Sequence, residues 1–454
     1  MSLTPKQMSN TLFTFLASYF VCLSAWSQVG QRFPSEKRVV RDKVTGVKVT
    51  VLTTSDADDS KIYQTHPQWT YDQKYIIFTS NRDTASRRSK VYAVNVKTGT
   101  IIQLTEGEVN ASSLNIARKS NKLYYSRAGV NEPGKLIEMD LDALFKDSER
   151  GAGKSQSAYE RVIGDLPSDI RAGGFTLDAN EKVAYIGGTI GGATTDTAQR
   201  RVQGQPRPAG QQQQPNQFIA QSPGGLRAMD LQTGAVSKVV DVPFTIGHIQ
   251  ANPYKSGEIL FCNETGGDCP QRMWLVNADG SNLKPLYKEK PDEWVSHETW
   301  VDANTVYFNL KQYNFYSKVR PNVEDFRVMG EKIFTPDSRK MPTGIFAINV
   351  RNDDVKVLGS VDKGHGYWHS NGTLEGKWAM GDNFDGDIYL INVKNGKQTL
   401  LTTGHLLVFK GVEHALFHPH ATFRPDGKQL FFQSGMYSGG KSYDLMLVDI
   451  PADN

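Results

Sequence analysis

Residues Thr65–Asp83, THPQWTYDQKYIIFTSNRD, followed by Ser89–Glu108, SKVYAVNVKTGTIIQLTEGE, decide the fold. They hold four short β-prone runs separated by the turn signals Tyr71-Asp72-Gln73, Asn81-Arg82-Asp83 and Lys97-Thr98-Gly99. Four short strands within ~40–45 residues are the layout of one β-propeller blade.

The layout returns six times with variations, in Leu114–Asp142, Ile170–Val240, His248–Lys288, His297–Gly359, His369–Thr402 and His418–Ile450. The repetition predicts an all-β, seven-bladed propeller occupying residues 28–454 as one domain. The last unit stops after its third strand. The run Val47–Leu52, which has no hairpin partner nearby, is expected as its fourth, so that the N-terminus closes the ring and leaves no open sheet edge. Two inserts interrupt the pattern. Residues 190–218 are Gln/Gly/Pro-rich, of low complexity and without chemistry of their own. Lys311–Met341 carries Tyr313, Phe315, Tyr316 and Phe326 and reads as a lid over one face.

With 38% hydrophobic and 22% charged residues the composition is that of a folding chain, not a disordered one. Residues 1–27 read as a secretory signal peptide: Lys6, the apolar run Thr11–Ala25, then Ala25-Trp26-Ser27 before Gln28. The run is shorter than the ~20 residues of a spanning helix, so a periplasmic or secreted protein is expected and no membrane partner. Loss of that segment removes only Lys6 and lowers the formal charge from +4 to +3. So small a charge argues against a nucleic-acid partner and leaves small acidic ligands. Cys262 and Cys269 flank a short loop, CNETGGDC, where an exported protein would place a disulfide. Oligomeric state is not encoded in any motif, and a monomer is the default.

The positions of the histidines carry the functional signal. Counted to the turn that ends each unit's first strand, His66 precedes Asp72 by six residues, His248 precedes Lys255 by seven, His297 precedes Asp302 by five, and His369 and His420 precede Glu375 and Asp426 by six. Arg171 holds the same place in the third unit, seven before Asp178. First strands line a propeller's central channel, so these residues should gather at one mouth of it. A His-Pro pair such as His66-Pro67 commonly fills a polar gap between blades, and that reading suits His66 alone. Five units with the same residue are better explained by a metal. Imidazoles favour Mn, Zn, Fe or Ni over hard oxygen-seeking cations. His418 and His420, two apart on an extended run, share one face and form half of such a site. His405 falls outside the register and reads as a surface residue; His414 is held as an extra ligand. No G-x-S-x-G elbow, Walker loop or Rossmann glycine motif occurs, and His297-Glu298 lacks the second histidine of H-E-x-x-H.

The segments IGHIQANPY, RMWLVNADGSN, VSHETWV, HSNGTLEGKWAMGDN and FHPHATFRPDGKQLFF, taken in order, resemble the oligogalacturonate lyases of polysaccharide lyase family 22, seven-bladed propellers that use a divalent metal, typically manganese. The resemblance implies that His248 is the general base and that His297, His418 and His420 bind the metal. The family's substrate-binding arginine has no exact match; Arg227, two residues displaced, is one candidate, Arg171 and Arg272 are others, and His369 and His66 are expected at the substrate. Ala415 stands where the family carries a glutamine ligand, a place that His414, Glu413 or a water would fill.

The implied reaction is β-elimination in a uronate-containing oligosaccharide, and the implied partner is therefore an acidic glycan. Removal of the C5 proton by a neutral imidazole, whose ordinary pKa of ~6.5 suits the task, expels the C4 oxygen. A lyase acting on a rhamnose–glucuronate or ulvan-type linkage is an alternative, and a non-catalytic sugar- or protein-binding periplasmic propeller is another.

Overall fold

The computed structural model describes residues 29–82, 89–109, 113–129, 133–191, 222–264, 271–290, 293–312, 343–359, 366–383, 385–405 and 419–451. The signal-like N-terminus, most of the low-complexity insert, the aromatic stretch expected as a lid, Cys269, His414 and His418 fall outside them. No helix among the described residues is long and apolar enough to cross a membrane.

Seven antiparallel sheets form the expected seven-bladed propeller. Their innermost strands, from blade 1 to blade 7, are Asp59–Lys61, Asn115–Ile116, Ile170–Leu177, Ile246–Ala251, Glu293–Trp300, His369–Gly372 and Thr422–Phe423. Strands in the middle of a blade bury both faces because neighbouring blades pack against them; Tyr75–Ser80, for example, is buried at every position, whereas the outer strand Arg38–Arg41 is largely exposed. Apolar clusters occupy the junctions between blades. One joins Ile77 and Ala93 of blade 1 to Leu123, Ile137 and Phe145 of blade 2. Another joins Leu52, Phe431 and Leu445 of blade 7 to Trp69, Phe78 and Val94 of blade 1, which completes the circle.

Closure follows the expectation, with one addition. Lys48–Val51 pairs antiparallel with Asp444–Asp449 as the fourth strand of blade 7. It does have a hairpin partner: Arg38–Arg41 pairs with it through a turn in which Asp42 accepts the backbone N–H groups of Val44 and Thr45, both at 2.8 Å. Blade 2 runs further than the repeat suggests. Its outer strand is Glu160–Asp165, reached through the helix Leu141–Glu149. Asp140 caps this helix by accepting the Ala143 N–H at 3.0 Å, and Phe145 on its buried face stacks on Tyr75 with ring centroids 4.0 Å apart.

Candidate metal and base site at the channel mouth

Three histidines owe their aim to irregularities in the inner strands. His248, His297 and His420 all have left-handed backbones, with φ of 47°, 53° and 50°. The first two sit where the pairing register slips, between Gly247 and Gln250 and between Ser296 and Thr299. Such a bulge adds a residue to one strand and re-aims its side chain. A left-handed non-glycine residue costs on the order of 1–3 kcal/mol, a strain that tends to accumulate at functional sites.

The rings form a chain across blades 4 to 7. The His248 and His297 centroids are 6.3 Å apart, His297 and His369 4.4 Å, and His369 and His420 4.2 Å. Tyr63, which follows the inner strand of blade 1, bridges the two ends at 5.2 Å from His248 and 5.4 Å from His420. Burial, followed by the nearby charge of Glu298, pushes the Tyr63 phenol well above its ordinary pKa and keeps it neutral.

Around His248 the charges are fixed. Glu298, fully buried, places Oε1 3.3 Å from His248 Nδ1 and Oε2 2.9 Å from Arg272 Nε. Burial alone would raise the Glu298 pKa, but the Arg272 charge and the His248 hydrogen bond outweigh it and hold the group at about 2. Glu264 lies on the other side, with Oε2 3.6 Å from His248 Nε2 and 3.7 Å from Arg272. Gly247 permits that approach, since a Cβ there would stand 2.7 Å from the Glu264 Cβ.

His248, Cys262 and Glu298 bring one ligand atom each within 4.8 Å of one another. That trio resembles a metal cage by distance alone. Its carboxylate is already neutralised by Arg272, so it is better suited to orienting an imidazole than to holding a cation. The His297, His369 and His420 rings form a second cluster, close together and beside the buried Asp382, although only the first trio brings three ligand atoms within that distance among the described residues.

The remaining expected residues are placed as follows. Arg272 reaches the site, where its Nε is paired with Glu298 Oε2 and its Nη2 lies 3.5 Å from His248 Nδ1. Arg227 is not brought to the site; on the third strand of blade 3 it is clasped by Asp169 at 2.7 Å and Asp241 at 2.8 Å. Arg171 is exposed on the inner strand of blade 3. His66 points between blades, its Nε2 3.3 Å from the Phe175 carbonyl, and burial lowers its pKa to about 4. It lines a cavity with Asn115, Asp178, Gln250 and Trp300, toward the end at which the inner strands finish. His405 is corrected from surface to core. It is 2% exposed, bonded to Thr402 Oγ1 at 2.8 Å and Ser434 Oγ at 3.0 Å, and burial lowers its pKa to about 4. Cys262 is buried with its thiol 3.6 Å from Glu264 Oε2. Sequence reasoning missed Glu298, Tyr63, Glu264 and Asp382. A carboxylate next to a channel histidine is the one available signal, and the His297-Glu298 pair lacks a protease spacing.

Residues 203–453, more than half the chain, match the family model described as oligogalacturonate lyase. The oligogalacturonate lyase of Dickeya dadantii (strain 3937) is 24% identical over 415 residues, which cover 89% of this chain and 94% of that protein. The oligogalacturonide lyase of Pectobacterium atrosepticum is 23% identical over the same shares. Among solved structures, an oligogalacturonate lyase in complex with manganese superposes with a TM-score of 0.70 at 22% identity, covering 93% of this chain and 98% of that one. An oligogalacturonate lyase from Vibrio parahaemolyticus gives 0.69 at 19% identity, covering 93% and 99%. At these identities the two structures speak for the fold.

Proposed function

The chain belongs to the oligogalacturonate lyase family and is therefore a polysaccharide lyase; on that premise we propose that it is an exported, metal-dependent enzyme that cleaves short uronate-containing oligosaccharides by β-elimination. The observation that carries the reading is the adjacency of two different imidazole environments. His248 is paired with a buried carboxylate, and His297 and His420 stand with His369 in a nitrogen-rich cluster.

Glu298 Oε1, 3.3 Å from His248 Nδ1, can accept its proton, and in that tautomer the Nε2 lone pair takes C5–H from the uronate. The C–H electron pair becomes the C4–C5 double bond as the C4–O bond breaks and its electrons leave with the oxygen. The imidazolium so formed lies between Glu298 and Glu264, two charges arranged for it before reaction begins. Tyr63, neutral and adjacent to His248, is suited to return a proton to the leaving oxygen. Arg171 is the arginine left to meet a substrate carboxylate, because Arg227 and Arg272 are committed to acidic partners.

His297 and His420, with His418 by family resemblance, would hold the divalent ion, manganese first and zinc, iron or nickel as alternatives. A bound ion supplies Lewis acidity to the uronate carboxylate, whose negative charge otherwise opposes loss of the C5 proton. Export rests on the apolar run Thr11–Ala25 and the small residues before Gln28, and a mature N-terminus at Gln28 is expected. The test of the function is ultraviolet absorbance of a new C4–C5 double bond when oligogalacturonate is supplied with manganese. Cleavage without that absorbance, which is hydrolysis, or no cleavage of any uronate oligomer, defeats the reading.

A further inference from the structure

The seam that closes the ring carries a buried acid with no cation of its own. Asp444 opens the third strand of blade 7, is 2% exposed, and its Oδ1 is buried without a hydrogen-bond partner among the described residues. The next residue, Leu445, holds the N-terminal segment: its carbonyl accepts the Leu52 N–H at 2.7 Å, and its own N–H donates to Thr53 Oγ1 at 3.0 Å. The preceding residue, Tyr443, joins blade 1. Its carbonyl accepts the Asp59 N–H at 3.1 Å, and its N–H donates to Asp58 Oδ1 at 3.1 Å.

The charges around Asp444 do not balance. Asp59 of blade 1 and Glu36 and Arg38 of the N-terminal segment act on it directly. Arg82 is shared, its guanidinium 2.9 Å from Asp59 and 2.8 Å from Glu36, so that one cation answers two carboxylates. Arg38 lies over the Tyr437 ring, 5.0 Å from its centroid. Lys61, on the same inner strand as Asp59, is bonded to the Ile62 carbonyl and Thr422 Oγ1. Ser434, opposite Asp444 in the sheet, is bonded to His405, an imidazole that burial keeps neutral. The four acids Asp58, Asp59, Glu36 and Asp444 thus meet the two guanidiniums of Arg82 and Arg38. A buried carboxylate left without a partner takes up a proton rather than hold its charge. Burial first, then the Asp59 charge, push the Asp444 pKa from 3.8 up to about 7.

We propose that Asp444 is a proton-operated latch on ring closure: protonated, it lets blade 7 seal against blade 1, and ionised, it loosens that seam. The neutral carboxyl has an O–H to donate and adds no charge beside Asp59, whereas the carboxylate meets no donor and repels its neighbour. Because the folded chain holds this proton more tightly than the unfolded one, the stability it lends is present in full below pH 3.8 and is lost as pH rises through about 7. The inner strand Thr422–Phe423 belongs to the same sheet, so an alkaline loosening of the seam extends to the strand that follows His420.

The test uses the full chain. Denaturant unfolding of the wild type and of Asp444→Asn, which keeps the shape of the acid without its charge, is followed from about pH 4 to about pH 8. The variant should gain on the wild type as pH rises, by up to about tenfold in the unfolding constant per pH unit, the slope of one proton. Asp449→Asn, at the exposed end of the same strand, should run parallel to the wild type. At about pH 8 hydrogen exchange in Lys48–Val51 and Asp444–Asp449 should be slower in Asp444→Asn than in the wild type. Parallel unfolding curves for Asp444→Asn and the wild type, or unchanged exchange in those two strands, overturn the proposal. Should the variant not fold, the infrared carbonyl band of a protonated carboxyl in the wild type decides. Its presence at about pH 5 and loss by about pH 8 support the latch; its absence at the lower pH, or its persistence at the higher, overturns it.

Discussion

Glu298 Oε1 lies 3.3 Å from His248 Nδ1, so the carboxylate that follows His297 in blade 5 serves the imidazole of blade 4. Adjacent residues on one bulged strand thus face two ways, the His297 ring toward the imidazole cluster and the Glu298 acid toward His248. Glu298→Gln keeps the shape and removes the charge. General-base catalysis contributes ~10²–10⁴-fold, and a mis-oriented base should forfeit about 10–100-fold of it in kcat. Metal content should be unchanged, and steady-state kinetics beside elemental analysis separates the two.

Arg272 is 6% exposed at its side chain and Glu298 0%, so removing the cation strands a buried charge. Arg272→Met should cost about 3–5 kcal/mol in denaturant unfolding, the usual penalty for breaking a buried pair from one side. In the wild type the Glu298 pKa is depressed, from 4.5 to about 2. The pair therefore contributes fully above pH 4.5 and loses its contribution as pH falls toward 2. Stability measured across that window should drop in the wild type and be flatter in Glu298→Gln.

The left-handed backbone of His248, φ 47°, makes an unusual substitution series informative. Alanine retains the steric conflict of a Cβ at positive φ, whereas glycine does not. His248→Gly should be more stable than His248→Ala by ~1 kcal/mol, although both lack the base. Thermal melts of the two variants decide it.

Closure of the ring depends on Lys48–Val51, hydrogen-bonded on both sides by Arg38–Arg41 and Asp444–Asp449. Thr50→Pro removes a donor from a strand with neighbours on each edge and should cost ~3 kcal/mol or more. Hydrogen exchange should rise first in blade 7, whose inner strand Thr422–Phe423 begins two residues after His420.

The blade architecture was legible because each unit repeats turn residues at similar spacing, and Val47–Leu52 could be assigned to blade 7 by the missing fourth strand. The Leu141–Glu149 helix was not, since a single helix inside a strand repeat looks like a longer turn until its Asp140 cap and buried Leu144 and Phe145 are seen together. The histidine register located the channel mouth, yet register does not distinguish His66 and His405, which turn to the Phe175 carbonyl and to Thr402 and Ser434, from the clustered rings. Nor does it reveal partners. Arg227 lies near the expected place in sequence, but two carboxylates hold it elsewhere, and Glu298 and Asp382 act through contacts between residues far apart in the chain or across a bulge.

The division of labour between His248 and the imidazole cluster is tested most directly by bound metal and turnover in paired variants. Equal samples of His248→Ala and His297→Ala are loaded with manganese, desalted, analysed for metal, and assayed for the unsaturated product. The account predicts one equivalent of metal and no product for His248→Ala, and loss of both for His297→Ala. Equal metal loss in the two, or product formation by His248→Ala, would contradict it.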